Sequence, residues 1–162
     1  MALTRYPVFH FACFCRRYSP SATFIRSPQL CSGDDILYAN FHLARTFTDS
    51  SIITMPDGID VFTSGALWSN AAFLPLVAKM HPAAPIAVFI DCQLRMGMIG
   101  VVVVNLAHQP LTDEQIINAG NTGTIEIACD RPDLMRGLLI RNLSPTGPSE
   151  AHVRDISVRL AA

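Results

Sequence analysis

The segment PIAVFIDCQLRMGMIGVVVVNL, residues 85–106, decides the fold class. In its first half, apolar side chains recur at every second position, at Ile86, Val88, Ile90, Cys92 and Leu94. Because successive side chains of a strand point to opposite faces, this period predicts a strand with one buried face. The second half holds four consecutive valines, which are typical of a strand buried on both faces. Met96 and Gly97 predict a tight turn between the halves, so we expect the two strands to form a hairpin.

Further strand-like segments lie on both sides of this pair. The segments that favour strands are residues 51–55, 59–63, 123–129, 134–142 and 151–160. Turn-forming residues separate them, as at Pro56-Asp57-Gly58, where proline fixes φ and glycine permits a positive φ. The last two segments are expected to form a closing hairpin.

Three other segments are less clear in their periodicity. Residues 34–48 carry a loose helical stripe of apolar side chains and predict a short helix. Residues 66–77 fit either a helix or a strand, although Pro75 would disrupt a helix interior. Residues 111–120 fit either a strand or a single helical turn capped by Thr112 and Gln115.

The spacing of the strands predicts an all-β protein, an antiparallel β-sandwich or jelly roll. A parallel α/β fold needs crossover connections of about a dozen residues, usually helical, and the sequence after residue 85 has no room for them. We expect the sandwich domain to cover residues 50–162. Residues 1–49 are expected to form an N-terminal extension, either unstructured or with a short helix.

Charge is distributed unevenly along the chain. Residues 1–33 contain four arginines and no acidic residue, a composition like that of an organelle transit peptide. An unstructured extension, or a start codon placed too far upstream, explains this segment more simply. The net charge of −1 gives no general attraction to nucleic acid or to anionic lipid. Since no apolar run reaches the ~20 residues of a membrane span, we expect a cytoplasmic protein with no nucleic-acid or membrane partner.

The residues that usually hold cofactors or perform catalysis lack the spacing that those roles need. Five cysteines, an odd number without a secretion signal, predict reduced thiols. His10, Cys13 and Cys15 lack the paired spacing of a zinc site. Asp57, Asp60 and Asp130 lack the regular spacing of a calcium loop. No G-x-S-x-G, P-loop or H-E-x-x-H motif occurs. The sequence therefore predicts a non-catalytic protein with no metal and no other cofactor.

Three motifs between residues 52 and 160 carry a family resemblance. They are Trp68-Ser-Asn-Ala-Ala-Phe-Leu-Pro75, then Val88-Phe-Ile-Asp91 with Gly97-Met-Ile-Gly100, and finally Leu139-Ile-Arg-Asn-Leu-Ser144 with Gly147-Pro-Ser149. In this combination the chain resembles a β-sandwich module found beside FkbM-type methyltransferases and some bacterial glycosyltransferases. The resemblance implies a galactose-binding-like jelly roll in a setting of glycan modification. It implies no activity, because the methyltransferase domain is a separate unit.

Trp68, the only tryptophan, is one candidate for ligand binding. An exposed tryptophan can stack on a sugar ring through its large amphipathic face. Its apolar neighbours in the sequence favour the alternative, a core tryptophan that caps the sandwich.

Arg141, Asn142 and Asp91 are the other candidate ligand-binding residues. Arg141 and Asn142 come late in a predicted strand, and both side chains can hydrogen-bond a polyol or a carboxylate. Structural roles are the simpler expectation, with Arg141 paired to an acid and Asn142 bound to turn backbone. Asp91 lies on the polar face of its strand, either as a ligand group or as the partner of Arg95 or Arg141.

Two functions from different classes fit these observations. The first is a non-catalytic accessory module that binds a glycan or packs against a carbohydrate-modifying enzyme. The second is a truncated remnant or docking domain of a methyltransferase or glycosyltransferase, with no ligand of its own. An exposed aromatic side chain among clustered polar groups would favour the first. An exposed apolar patch without a polar cleft would favour the second.

Overall fold

The computed structural model describes residues 37–78 and 84–161. Within these residues the chain forms eleven strands and one short 3₁₀ turn, Phe41–Leu43. The strands are β1 Leu37–Ala39, β2 Arg45–Thr46, β3 Ser51–Met55, β4 Gly58–Phe62, β5 Asn70–Ala78, β6 Ile86–Met96, β7 Met98–Val104, β8 Gln115–Asn118, β9 Thr122–Cys129, β10 Gly137–Asn142 and β11 Glu150–Leu160.

The strands make two antiparallel sheets that pack face to face. Sheet A has the order β3-β4-β11-β6-β9, and sheet B has the order β2-β5-β10-β7-β8. The short strand β1 pairs with both β11 and β5, so it joins the two sheets along one side. On the opposite side the edge strands β8 and β9 are not paired with each other. The all-β antiparallel sandwich expected from the sequence is confirmed.

The main core lies between the sheets and follows the period of two in the strands. Its β6 members are the five side chains that the sequence places on the buried face: Ile86, Val88, Ile90, Cys92 and Leu94. The valines of β7 are buried on both faces of sheet B, as expected. Val101 and Val103 pack into the main core, whereas Val102 and Val104 form a second cluster with Phe73 and Leu139 on the outer face.

The expected hairpin of β6 and β7 is wrong. β6 pairs with β11 and β9 in sheet A, while β7 pairs with β10 and β8 in sheet B. Gly97, with φ of 81°, therefore turns the chain from one sheet into the other. The closing hairpin is wrong for the same reason, since β10 lies in sheet B and β11 in sheet A. Alternation shows which side chains are buried, but not which sheet a strand joins.

The structure also decides the three segments that the sequence left less clear. Residues 70–78 form strand β5, with Pro75 accommodated opposite Gly137 of β10. Residues 115–118 form strand β8 and not a capped helical turn. The helix expected over residues 34–48 is wrong for the described part, which holds β1, the 3₁₀ turn and β2. Tertiary pairing with β5 and β11 outweighs the weak helical pattern there.

The domain boundary was expected at residue 50. Strands β1 and β2 precede this residue and pair with strands β5 and β11, which follow it. In the described ranges no helix has the length and the apolar character needed to cross a membrane.

Candidate functional site

A row of four residues crosses the outer face of sheet B near one end of the sandwich. Asn70 of β5 is paired with Arg141 of β10, Arg141 with Gly100 of β7, and Gly100 with Ile116 of β8. Their strand neighbours, such as Ile140, pack into the main core, so the row itself faces away from it. We call these four residues the Arg141 row.

Trp68 lies beside the Arg141 row, just before β5 begins. Its backbone N–H donates to the carbonyl oxygen of Asn142, at 2.7 Å. Its side chain is 61% exposed, so the expectation of a core tryptophan is wrong. With φ of 63° its backbone is in the left-handed region, which is rare for a bulky residue and a sign of strain or function.

Arg141 holds the polar part of this surface together. Its Nε donates to Oδ1 of Asn70 at 3.2 Å, and its Nη1 lies 3.8 Å from Oε1 of Glu114. The pair with Glu114 is long for a charge-assisted hydrogen bond, which is usually near 2.7–2.9 Å. Arg141 and Glu114 are both largely buried, so neither charge is freely solvated.

Glu114 reaches over the row because Gly100 has no side chain. A Cβ at position 100 would collide with the carboxyl group of Glu114. Within the described part of the chain, Oε1 of Glu114 is buried and accepts no hydrogen bond. A buried acceptor without a donor costs roughly 1–3 kcal/mol. The sequence does not identify Glu114 or Asn70, because only the pairing of β5, β10, β7 and β8 brings them to Arg141.

Asn142 does not face a ligand. Its side chain is fully buried and contacts Ala66, Gly147, Ser144 and Ser149. The expected structural role, binding of turn backbone, is the one observed.

Asp91 lies on the other face of the molecule, the outer face of sheet A. Its Oδ1 accepts a hydrogen bond of 2.6 Å from Nη2 of Arg154. The expected partners Arg95 and Arg141 are both wrong, because Arg141 is in sheet B and Arg95 pairs elsewhere. A register shift in β11 between Val153 and Asp155 lies beside Arg154, and a shift of this kind is not visible in the sequence.

A charged cluster that the sequence analysis missed also lies on the outer face of sheet A. His152 and Asp60 are buried there, and Nδ1 of the imidazole lies 2.7 Å from Oδ1 of the carboxylate. Arg95 donates to Asp60 at 3.1 Å and to Glu150 at 2.8 Å, and these two hydrogen bonds raise the pKa of its guanidinium. Every member of the cluster has a charged neighbour, which is typical of a structural network.

The geometry does not assemble a metal site in the described residues. Across residues 37–78 and 84–161, no three His, Cys, Asp or Glu side chains are grouped to hold an ion. His10, Cys13 and Cys15 lie outside the described residues. Cys92 and Cys129 are free and buried, and burial raises the pKa of the Cys92 thiol to about 11. A thiol of that pKa is protonated and unreactive at neutral pH.

Two open clefts lie on the side where β8 and β9 face each other. One, of about 400 Å³, is lined by Cys92, Ile116, Ile117 and residues 120–125. The other, of about 570 Å³, is lined by residues 110–113, Gln115, residues 127–128 and Asp130. Neither cleft is lined by Trp68 or Arg141.

Comparison with known proteins finds similarity only at the level of structure. No family model and no curated protein matches the sequence. Solved structures that match include Clostridium thermocellum endo-1,4-β-D-xylanase 10B, its CBM22-1–GH10 modules complexed with xylohexaose, at 12% identity and a TM-score of 0.52 over 80% of this chain and 29% of that chain. A xylan-binding module CBM15 matches at 11% identity and a TM-score of 0.49, over 78% of this chain and 97% of that one. The second N-terminal cellulose-binding domain of Cellulomonas fimi β-1,4-glucanase C matches at 14% identity and a TM-score of 0.47, over 86% of this chain and 99% of that chain.

The match to the xylanase chain bears on the fold. The chain spans about 29% of the length of the xylanase chain, whose match is at low identity and shows a shared β-sandwich alone. The methyltransferase or glycosyltransferase setting implied by the sequence resemblance has no support from this match.

Proposed function

We propose that this chain is a non-catalytic module that binds a glycan through the surface formed by Trp68, Asn70, Arg141 and Glu114. The observation that carries the proposal is an exposed tryptophan whose backbone N–H is bonded to Asn142, the residue that follows Arg141 in β10. Sugars are recognised by the same combination, because one ring face is apolar and the hydroxyls both donate and accept.

The polar residues suit neighbouring hydroxyl groups of a neutral sugar. The guanidinium of Arg141 offers donors only, and the carboxylate of Glu114 offers acceptors only. Because the two charges compensate each other, an anionic ligand gains little from this surface.

Xylohexaose is the first ligand to test, because it is bound in a solved structure that matches this fold at a TM-score of 0.52. Titration calorimetry on the full chain with linear oligosaccharides measures the affinity. We expect Trp68→Ala to weaken binding about two- to twelvefold, since an aromatic contact contributes ~0.5–1.5 kcal/mol and 1.4 kcal/mol is tenfold in affinity.

A matched control is Phe89→Ala, which removes an aromatic ring from the outer face of sheet A, where it packs under Arg159. This variant is expected to bind as the wild type does. Equal affinity of Trp68→Ala and the wild type would overturn the proposed site. If the folded wild type binds no glycan on an array, Trp68 and its exposed neighbour Leu67 fit a docking surface instead, the second function considered above.

A further inference from the structure

Two loops meet at the end of the sandwich where Trp68 lies. The Trp68 loop, residues 63–69, connects β4 to β5, and the Pro145 loop, residues 143–149, connects β10 to β11. They are joined at their bases, because the N–H of Thr63 donates to the carbonyl of Ser149 and the N–H of Ser149 donates to Oγ1 of Thr63. The position of Trp68 therefore depends on contacts between the loops as well as within its own loop.

Asn142, at the end of β10, contacts both loops through its side chain. Its Nδ2 donates to the carbonyl oxygens of Ala66, at 3.2 Å, and Gly147, at 3.1 Å. Its Oδ1 accepts from the N–H of Ser144, at 3.3 Å, and from Oγ of Ser149, at 2.8 Å. Both donors of the amide are used, and its Oδ1 shares the single hydroxyl hydrogen of Ser149 with the carbonyl oxygen of Met98, which lies 2.9 Å from Oγ.

The backbone of Asn142 contacts the Trp68 loop as well. Its carbonyl oxygen accepts from the N–H of Trp68 at 2.7 Å, and its own N–H donates to the carbonyl of Ser69 at 2.9 Å. The left-handed backbone of Trp68 is thus held on one side by the Asn142 carbonyl and on the other by the Asn142 amide group at Ala66. Such a strained conformation persists only where several surrounding contacts hold it in place.

We infer that Asn142 is a positioning residue that fixes the exposed ring of Trp68 beside Arg141. It touches no ligand, since its side chain has no exposed surface. Arg141 precedes Asn142 in β10, so the end of this one strand places both the polar residue Arg141 and, through Asn142, the aromatic residue Trp68. The inference that this serves binding rests on the proposed function, whereas the positioning itself does not.

The test uses Trp68 fluorescence, which reports on one ring because the chain has a single tryptophan. Asn142→Ala and Asn142→Asp each remove the two donations from Nδ2. In variants shown to be folded by circular dichroism, we expect lower fluorescence anisotropy, greater quenching by acrylamide, and at least threefold weaker glycan binding. Ser144→Ala is the matched control, because its backbone N–H stays in place and its hydroxyl contacts only the Thr146 hydroxyl.

Anisotropy and quenching equal to those of the wild type in a folded Asn142→Ala protein would overturn the inference. Those two readouts need no ligand, so they separate a failure of positioning from a failure of glycan binding. Should neither variant fold, hydrogen exchange of the wild type tests the contact, because a Trp68 N–H bonded to the carbonyl oxygen of Asn142 is expected to exchange slowly. Exchange at the rate of an unprotected amide would contradict the inference.

Discussion

The imidazole Nδ1 of His152 lies 2.7 Å from Oδ1 of Asp60, and both side chains are buried although they belong to the outer face of sheet A. The two residues are direct partners in the pairing of β11 with β4. Arg95 and Glu150 cover them from β6 and β11, with Arg95 bonded to Asp60 and to Glu150. The contact therefore links three neighbouring strands, β4, β11 and β6, through charged side chains.

Asp60→Ala is expected to lower the free energy of unfolding by roughly 1–3 kcal/mol, because it leaves His152 buried without its close partner. Urea unfolding at pH 7 measures the change. Asp57→Ala is the control, since Asp57 is exposed and its Oδ2 lies 3.5 Å from Nε2 of His152. Its free energy of unfolding is expected to stay within about 0.5 kcal/mol of the wild-type value. Equal losses in the two variants would show that the buried contact has no special role.

The sequence predicts the strands of this fold better than their arrangement. Alternation along β6 identifies its buried face, because burial depends on local period. It cannot show that Gly97 leads the chain into the opposite sheet, since hairpins and sheet-to-sheet connections both use such turns. The expected hairpin fails for this reason.

The candidate site was predicted only in part for a related physical reason. Arg141 was identified by its side-chain chemistry, but Glu114 and Asn70 reach it through pairings that are distant in the sequence. Trp68 has apolar neighbours that favour burial, and its exposure follows from hydrogen bonds to Asn142 far along the chain. Local patterns carry no information about such contacts.

Gly137→Ala is expected to destabilise the sandwich by roughly 1–3 kcal/mol through overpacking. A Cβ at position 137 would lie 2.5 Å from the carbonyl oxygen of Leu74 and 2.6 Å from the ring of Phe73, and the backbone oxygen cannot move aside easily. Thermal unfolding followed by circular dichroism provides the measurement. Gly65→Ala, whose Cβ would approach nothing closer than 3.9 Å, is expected to unfold like the wild type. A Gly137→Ala protein as stable as Gly65→Ala would show that sheet B adapts to the extra methyl group.

Gly100→Ala is expected to separate stability from binding. The new methyl group displaces the carboxyl group of Glu114, which is the end of a flexible side chain, so the fold has little to rearrange. Replacing glycine within a strand also reduces the freedom of the unfolded chain, which favours folding by ~0.4–1 kcal/mol. We therefore expect unchanged or higher stability together with weaker glycan binding, similar to that of Glu114→Ala. Calorimetric titration on both variants makes the comparison, and wild-type affinity in Gly100→Ala would remove Glu114 from the proposed site.

Cys92 is expected to make stability depend on pH in the alkaline range. Burial, with a smaller contribution from Asp91 and an opposing one from Arg154, raises the pKa of its thiol in the folded protein from 9.0 to about 11. Below pH 9 the thiol is protonated in both states, so its contribution to stability is fully present. Between pH 9 and 11 the unfolded chain releases the proton while the folded chain retains it, so the free energy of unfolding falls as pH rises.

Urea unfolding of the wild type and Cys92→Ala at several values between pH 8 and 11 tests this coupling. The variant loses buried volume and is expected to be less stable at pH 8, and its stability is expected to fall less steeply above pH 9. Val88→Ala, another truncation in β6, creates a cavity without removing a thiol and should keep the wild-type slope. If Cys92→Ala and Val88→Ala follow the same slope, other alkaline groups cause the dependence, and the buried thiol does not couple to folding.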